Sequence, residues 1–187
     1  MTRNFDTQPL EAAFVDELLD LARRAPSAGF SQGAHWLVLT GEALADFWTL
    51  TEARDWFASS QPGVLDAPVV ILALADPTAY TSRYSESDKA GHGLHDAAAW
   101  PVPYWLTDAA MAVQNLLLLA EDRGIGALYF GIFRNAEHML QSFGVPASLT
   151  AIGAVALGQR SADDTASGSA RTHRRRSAEQ VIHHQHW

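Results

Sequence analysis

Apolar residues recur at helical spacing at Phe14, Leu18, Leu21 and Ala25, which predicts a helix over residues 10–25. Pro26 and Gly29 end it. Trp36-Leu37-Val38-Leu39-Thr40 reads as a short buried strand broken at Gly41. Leu44, Phe47, Trp48 and Leu50 then place a second helix over residues 42–56, closed by the Pro62-Gly63 turn. The β-branched run Val69-Val70-Ile71-Leu72-Ala73-Leu74 has no polar alternation, so it predicts a central strand covered on both faces.

Residues 76–103 lose all periodicity: Pro77, Gly91, Gly93, Pro101 and Pro103 punctuate them. A loop of that length inside a compact domain is usually functional. Tyr80, Tyr84, Trp100 and Tyr104, in or beside it, either line a substrate pocket or pack a subunit interface. The strongest helix follows over residues 104–123, apolar almost all round, which suits a core or subunit-interface helix. Gly124 and Gly126 end it; 127–130 is a strand, 135–143 a short capped helix and 151–157 the last strand. About four strands alternating with helices predict an α+β fold, a three-layer α/β/α sandwich.

The chain has 187 residues, 48% hydrophobic and 18% charged, which fits a single domain over residues 1–187 with a real core. Residues 161–187 read as a linker and a basic C-terminal tail. No apolar run approaches the roughly 18 residues of a membrane helix, and Met1-Thr2-Arg3-Asn4-Phe5-Asp6 lacks the apolar stretch of a signal peptide. Zero cysteines exclude disulfides, thiolate catalysis and cysteine zinc sites, and fit a reducing cytoplasm. The net charge of −8 argues against a nucleic-acid partner. Against that acidity, Arg171, Arg174, Arg175 and Arg176 form one compact basic cluster, either a solvated tail or the holder of a small anion.

No glycine-rich phosphate loop follows a strand, and no Gly-x-Ser-x-Gly elbow is present. His92 and His95 read as loop surface, and His183, His184 and His186 as solvated tail, so no metal site is expected. The informative segment is Ala25-Pro26-Ser27-Ala28-Gly29-Phe30-Ser31-Gln32-Gly33-Ala34-His35-Trp36. Its small residues let backbone approach a flat ligand, with Ser27 and Gln32 as hydrogen-bond partners; on physical grounds alone it is equally a tight turn.

That segment resembles the nitroreductase family's signature A-P-S-x-x-N-x-Q-P-W-x-F. Four further pieces resemble the family in order: Thr2-Arg3-Asn4-Phe5; the helix from Asp108 to Leu117; Gly124-Ile125-Gly126-Ala127-Leu128-Tyr129-Phe130-Gly131; and Ala154-Val155-Ala156-Leu157-Gly158 followed by Arg174-Arg175-Arg176-Ser177. The resemblance implies a homodimer with two FMN sites at its interface. Arg3, Arg174 and Arg175 would hold the FMN phosphate, for which guanidinium forks are suited. Pro26, Ser27, Ala28 and Phe30 would reach the flavin from the partner subunit, Gln32 would follow the motif, and Tyr129, Phe130 and Gly131 would pass the other ring edge. Hydride would come from NAD(P)H and leave to a small-molecule acceptor such as a nitroaromatic or quinone, with no side-chain acid or base required.

Three departures stand out. An arginine expected before Met1 is missing, Phe30 replaces an asparagine, and Gly33-Ala34 replaces Pro-Trp, which implies a looser lead into the strand. Gly-Phe at 29–30 resembles the flavin-fragmenting, dimethylbenzimidazole-forming branch. Alternatives are therefore a specialised flavoprotein of the same fold (flavin fragmentation or deazaflavin-dependent reduction) and a non-catalytic flavin-binding dimer. With the resemblance set aside, an acidic α/β domain with an anion-binding tail remains.

Overall fold

The structure, a computed structural model, describes residues 1–165 and 172–187; Arg171 of the basic cluster lies outside the described residues. Ten elements carry the fold: α1 (Ala12–Ala22), β1 (Ala34–Leu39), α2 (Gly41–Leu50), α3 (Ala53–Ser60), β2 (Val69–Ala75), α4 (Pro77–Arg83), α5 (Tyr104–Asp122), β3 (Gly126–Phe130), α6 (Ala136–Ser142) and β4 (Thr150–Gly158). The strands form one sheet in the order β1-β2-β4-β3, with every neighbouring pair antiparallel. Successive side chains of a strand face opposite ways, and here both faces are covered. Val69, Ile71, Ala73, Val155 and Leu157 pack under α1 and α5. Val70, Leu72, Leu74, Ala154 and Ala156 pack against Phe47 and Trp48 of α2, Phe57 of α3 and Met139 of α6. The result is the expected α+β three-layer sandwich, and β2 is buried along its whole length.

Two expectations about elements change. The helix drawn over 42–56 is two helices, because Glu52 sits in the left-handed region (φ 52°) and turns the chain between α2 and α3. The stretch 76–103 is not irregular throughout, since it opens with α4. Asp76 caps α4 by accepting the Thr78 N–H at 2.8 Å, and Pro77 occupies the first turn, where its missing N–H costs nothing. The loop aromatics neither line the large cavity described below nor stand free. Tyr80 and Trp100 are buried in a mutual edge-to-face cluster with Tyr84, Tyr104 and Trp105, at centroid distances of 4.8–6.2 Å. The Trp100 Nε1–H donates to the Leu94 carbonyl at 2.8 Å, closing the loop on its own core.

The lead into β1 is tight rather than loose. A Cβ on Gly33 would lie 2.6 Å from the Tyr80 ring and 2.9 Å from the Asp76 carbonyl, so only glycine fits that approach. The N-terminal segment is strapped across the ends of β3 and β4. Thr2 N–H donates to the Ala127 carbonyl at 2.9 Å, Phe5 bridges Arg160, and Asp6 N–H donates to the Gln159 carbonyl at 2.9 Å. Asp164 accepts the backbone N–H groups of Arg3 and Asn4 at 2.9 and 3.0 Å, so the start of the linker is fastened.

Candidate functional site

Two hollows hold most of the residues singled out above. The larger, about 790 Å³, opens between the α2–α3 joint and the end of β3, with Arg3, Tyr129, Phe130 and Gly131 on its wall. The N-terminal strap puts Arg3 there. One guanidinium nitrogen of Arg3 donates to the Met1 carbonyl at 3.2 Å, while its Nε is buried without a hydrogen-bond partner among the described residues. A buried N–H left unmade is costly, so this half-satisfied guanidinium beside a cavity fits an anion that would complete it.

The β3 part of that wall is closely packed. Phe130 stacks on the buried Trp48 (centroids 5.8 Å, planes 11° apart) and meets Phe57 edge-on at 5.3 Å. The Tyr129 ring fills space above Gly153, and its hydroxyl donates to the Ile152 carbonyl. Burial pushes that phenol above its ordinary pKa, so it stays protonated. β3 is an edge strand, and the outward Tyr129 N–H meets only the Met1 thioether sulfur, at 3.4 Å, a weak acceptor. Around the mouth, Trp56 and Phe133 are exposed, and Phe133 lies across Gly131, where a Cβ would come within 2.9 Å of its ring. The Glu52 carboxylate ties the two sides of the mouth, accepting from Arg134 and from the Asn135 side chain, each at 3.2 Å.

The smaller hollow, about 80 Å³, is lined by Pro26, Ser27 and Gln32 together with Tyr80 and Asp108. The Ser27 hydroxyl accepts the Gln32 N–H at 2.9 Å, which closes the turn. Phe30 projects from the same turn, 74% exposed. Burial first, and the hydroxyl's bond to Asp108 second, push the Tyr80 phenol far above its ordinary pKa.

Arg3, Tyr129, Phe130 and Gly131 therefore come together, and Pro26, Ser27, Ala28, Phe30 and Gln32 form a second group. The turn 27–32 leads into β1 and the strip 129–131 leaves β3, strands at opposite edges of the sheet. Three strand spacings, about 14 Å, separate those edges. Arg174 and Arg175 are exposed and line neither hollow. Trp56, Phe133 and Asp108 were not among the site residues expected from the sequence. For Asp108 a signal existed: it is a charged residue in register with the buried stripe Ala109, Ala112, Val113 and Leu116.

A family model of the nitroreductase family matches residues 1–159. The chain belongs to the nitroreductase family. A curated relative from Archaeoglobus fulgidus, provisionally named an NADH dehydrogenase/NAD(P)H nitroreductase, is 26% identical over 147 residues, 77% of this chain and 71% of its own. An NADPH-dependent oxidoreductase of Staphylococcus epidermidis is 25% identical over 71% of this chain and 50% of its own. Among solved structures, a nitroreductase-like protein of Streptococcus mutans superposes with a TM-score of 0.75 at 17% identity, covering 99% of this chain and 93% of that one. A Lactococcus lactis nitroreductase in complex with chloramphenicol gives 0.75 at 15% identity, covering 100% and 95%. At such identities these superpositions show the nitroreductase fold, the three-layer sandwich described above. Among the described residues, no helix is long and apolar enough to cross a membrane.

Proposed function

We propose that this nitroreductase-family protein is an FMN-dependent oxidoreductase carrying reducing equivalents from NAD(P)H to an organic acceptor such as a nitroaromatic or quinone. The observation that carries the reading is the buried, unpartnered Nε of Arg3 beside a cavity of about 790 Å³ walled by Tyr129, Phe130 and Gly131. A solved Clostridium difficile relative of the same fold (TM-score 0.67, 15% identity) is named an FMN-dependent nitroreductase. Bound FMN supplies two-electron redox chemistry that no side chain here can supply.

The chain's own part is to bind, orient and exclude water. Arg3 holds the phosphate, joined by Arg174 and Arg175 of the tail, and the strip 129–131, fixed by the Phe130–Trp48 stack, borders the ring. Trp56 and Phe133 cover the acceptor at the mouth. The second group, Pro26, Ser27, Ala28, Phe30 and Gln32, serves the cavity of a second copy of the chain. The opposite-edge placement supports that division, as does α5, which leaves Met111 and Leu118 40% and 59% exposed. A homodimer in the cytoplasm, with no nucleic acid or membrane partner, completes the reading.

The test is a visible spectrum of the purified protein, then melting temperature against FMN concentration, with sedimentation for the oligomeric state. Binding should stabilise the fold by about 2.7 kcal/mol at a hundredfold excess over Kd. No flavin band, no shift and no NAD(P)H oxidation would refute the proposal. A yellow protein that oxidises no NAD(P)H would point to a binding dimer, and destruction of the flavin during turnover to the fragmenting branch.

A further inference from the structure

Asp108 is drawn out of water on the buried side of α5, 5% exposed. A carboxylate so placed persists only where donors meet it. Its Oδ2 accepts the Ala28 N–H at 2.8 Å and the Tyr80 hydroxyl at 2.9 Å, and its Oδ1 lies 3.2 Å from the Thr107 hydroxyl, whose proton it shares with the Tyr104 carbonyl at 3.1 Å. One buried oxygen thus joins the core of the loop aromatics to Ala28, near the start of the turn that carries Phe30.

That turn is strained. Phe30 and Gln32 both have left-handed backbone, at φ 59° and 54°. Non-glycine residues stay there only when their surroundings over-determine them. The surroundings do so from three sides. Besides the Asp108 bond to Ala28, Arg83 Nε donates to the Gly29 carbonyl at 2.9 Å, and the same guanidinium is forked onto Asp88 with two bonds of 2.7 Å. The Tyr84 ring presses on Gly29 so closely that a Cβ there would lie 2.7 Å from it. What this arrangement holds in place is an apolar ring in open water, 74% exposed.

We infer that Asp108 is a positioning residue. Its carboxylate, with Arg83 as the outer support, locks the 27–32 turn so that the Phe30 ring stands ready as a stacking face for the planar flavin held in the cavity of a second copy. The inference rests on the proposed function for its ligand, and on this chain's own hydrogen bonds for its geometry.

Two measurements test it separately. Amide exchange over residues 26–33 is read by mass spectrometry in the full chain, in Asp108→Asn and in Arg83→Met. Asn keeps the shape of Asp but loses the charge and one acceptor. Exchange in the turn should quicken about tenfold or more, the worth of one hydrogen bond to a charged acceptor, while β2 and β4 stay protected. Unchanged exchange in the turn overturns the inference whether or not the protein binds flavin.

The second measurement is FMN affinity in a cycle of Asp108→Asn and Phe30→Ala. Each single variant should bind about tenfold more weakly, and the double variant no more weakly than Phe30→Ala alone, because Asp108 acts through that ring. A hundredfold loss in the double variant, the additive result, would mean that Asp108 supports the fold generally and overturns the inference. If Asp108→Asn does not fold, Arg83→Met, on the exposed side of the turn, replaces it in the same cycle. Wild-type protein that binds no FMN sinks the proposed function, and the exchange experiment still decides whether Asp108 holds the turn.

Discussion

Replacing Gly153 by alanine tests how the Tyr129 side of the cavity is built. Gly153 lies in β4 beside the irregularity at Ala73 and Leu74 in the β2–β4 pairing, with φ at 149°. A Cβ there would lie 2.6 Å from the Tyr129 ring and 2.8 Å from the Phe130 carbonyl. The ring can rotate at some expense. The carbonyl cannot, because Phe130 is paired with Ala154 in the sheet. Overpacking costs about 1–3 kcal/mol, and a backbone angle alien to L residues adds about 1–3 kcal/mol. The expected loss is therefore about 2–6 kcal/mol, a fall in Tm of roughly 10 °C for a domain of this size. Gly124→Ala is the control: it has a left-handed φ of 71° but no atom within 4 Å, so it should cost only about 1 kcal/mol. Urea denaturation followed by circular dichroism measures both, with unchanged m-values marking a pure stability effect. If the two variants lie within about 0.5 kcal/mol of each other, below the smallest overpacking cost, the packing of Tyr129 against β4 is not as described.

The Arg83 guanidinium holds the Asp88 carboxyl down to about 2, against about 3.9 for a free side chain. A lowered native value means that the pair's support is whole above pH of about 4 and is lost as pH falls toward 2. Exchange over residues 84–92 should rise in that window, and Arg83→Met should abolish the dependence; a flat wild-type profile would contradict it. Arg3→Ala and Arg175→Ala should each weaken FMN binding by about 1.5–3 kcal/mol, the worth of a charge-assisted hydrogen bond, measured by calorimetric titration. An unchanged Arg175→Ala affinity would remove the tail from the phosphate site. Trp56→Ala should raise KM for a quinone several-fold, as loss of an aromatic contact worth about 0.5–1.5 kcal/mol implies, while leaving ferricyanide reduction unchanged. Equal effects on both acceptors would show that Trp56 does not touch the ring.

The long helix α5 and the strand β2 were legible because their patterns are unbroken: burial on both faces writes a continuous apolar run, and a core helix writes a wide apolar stripe. The break between α2 and α3 was not, because it falls at Glu52, a residue with no local tendency to turn the chain. Tertiary ties impose it: the Glu52 side chain is held by Arg134 and Asn135, about eighty residues away. α4 was hidden by reading Pro77 as a breaker, although Asp76-Pro77-Thr78 is the start signal of a helix. On the candidate site, the family resemblance picked out some of the residues lining each hollow, and only the strand order showed that they flank opposite edges. Trp56 and Phe133 carried no signal, since a lone aromatic in a sequence is more often core than rim.

The strand order also sets a timetable for the chain's own synthesis. The central seam of the sheet joins β2 to β4, with Val69 opposite Leu157, so the middle of the sheet cannot close until almost the whole family-matched length has been made. The strap that seats Arg3 waits just as long, because Phe5 bridges Arg160 and Asp164 receives the Arg3 amide. Long-range pairings of this kind fold slowly and leave apolar strands uncovered in the interval. On the ribosome the first residues to emerge are thus among the last to find their places, and the Arg3 corner of the cavity is completed at the end of folding rather than at its beginning.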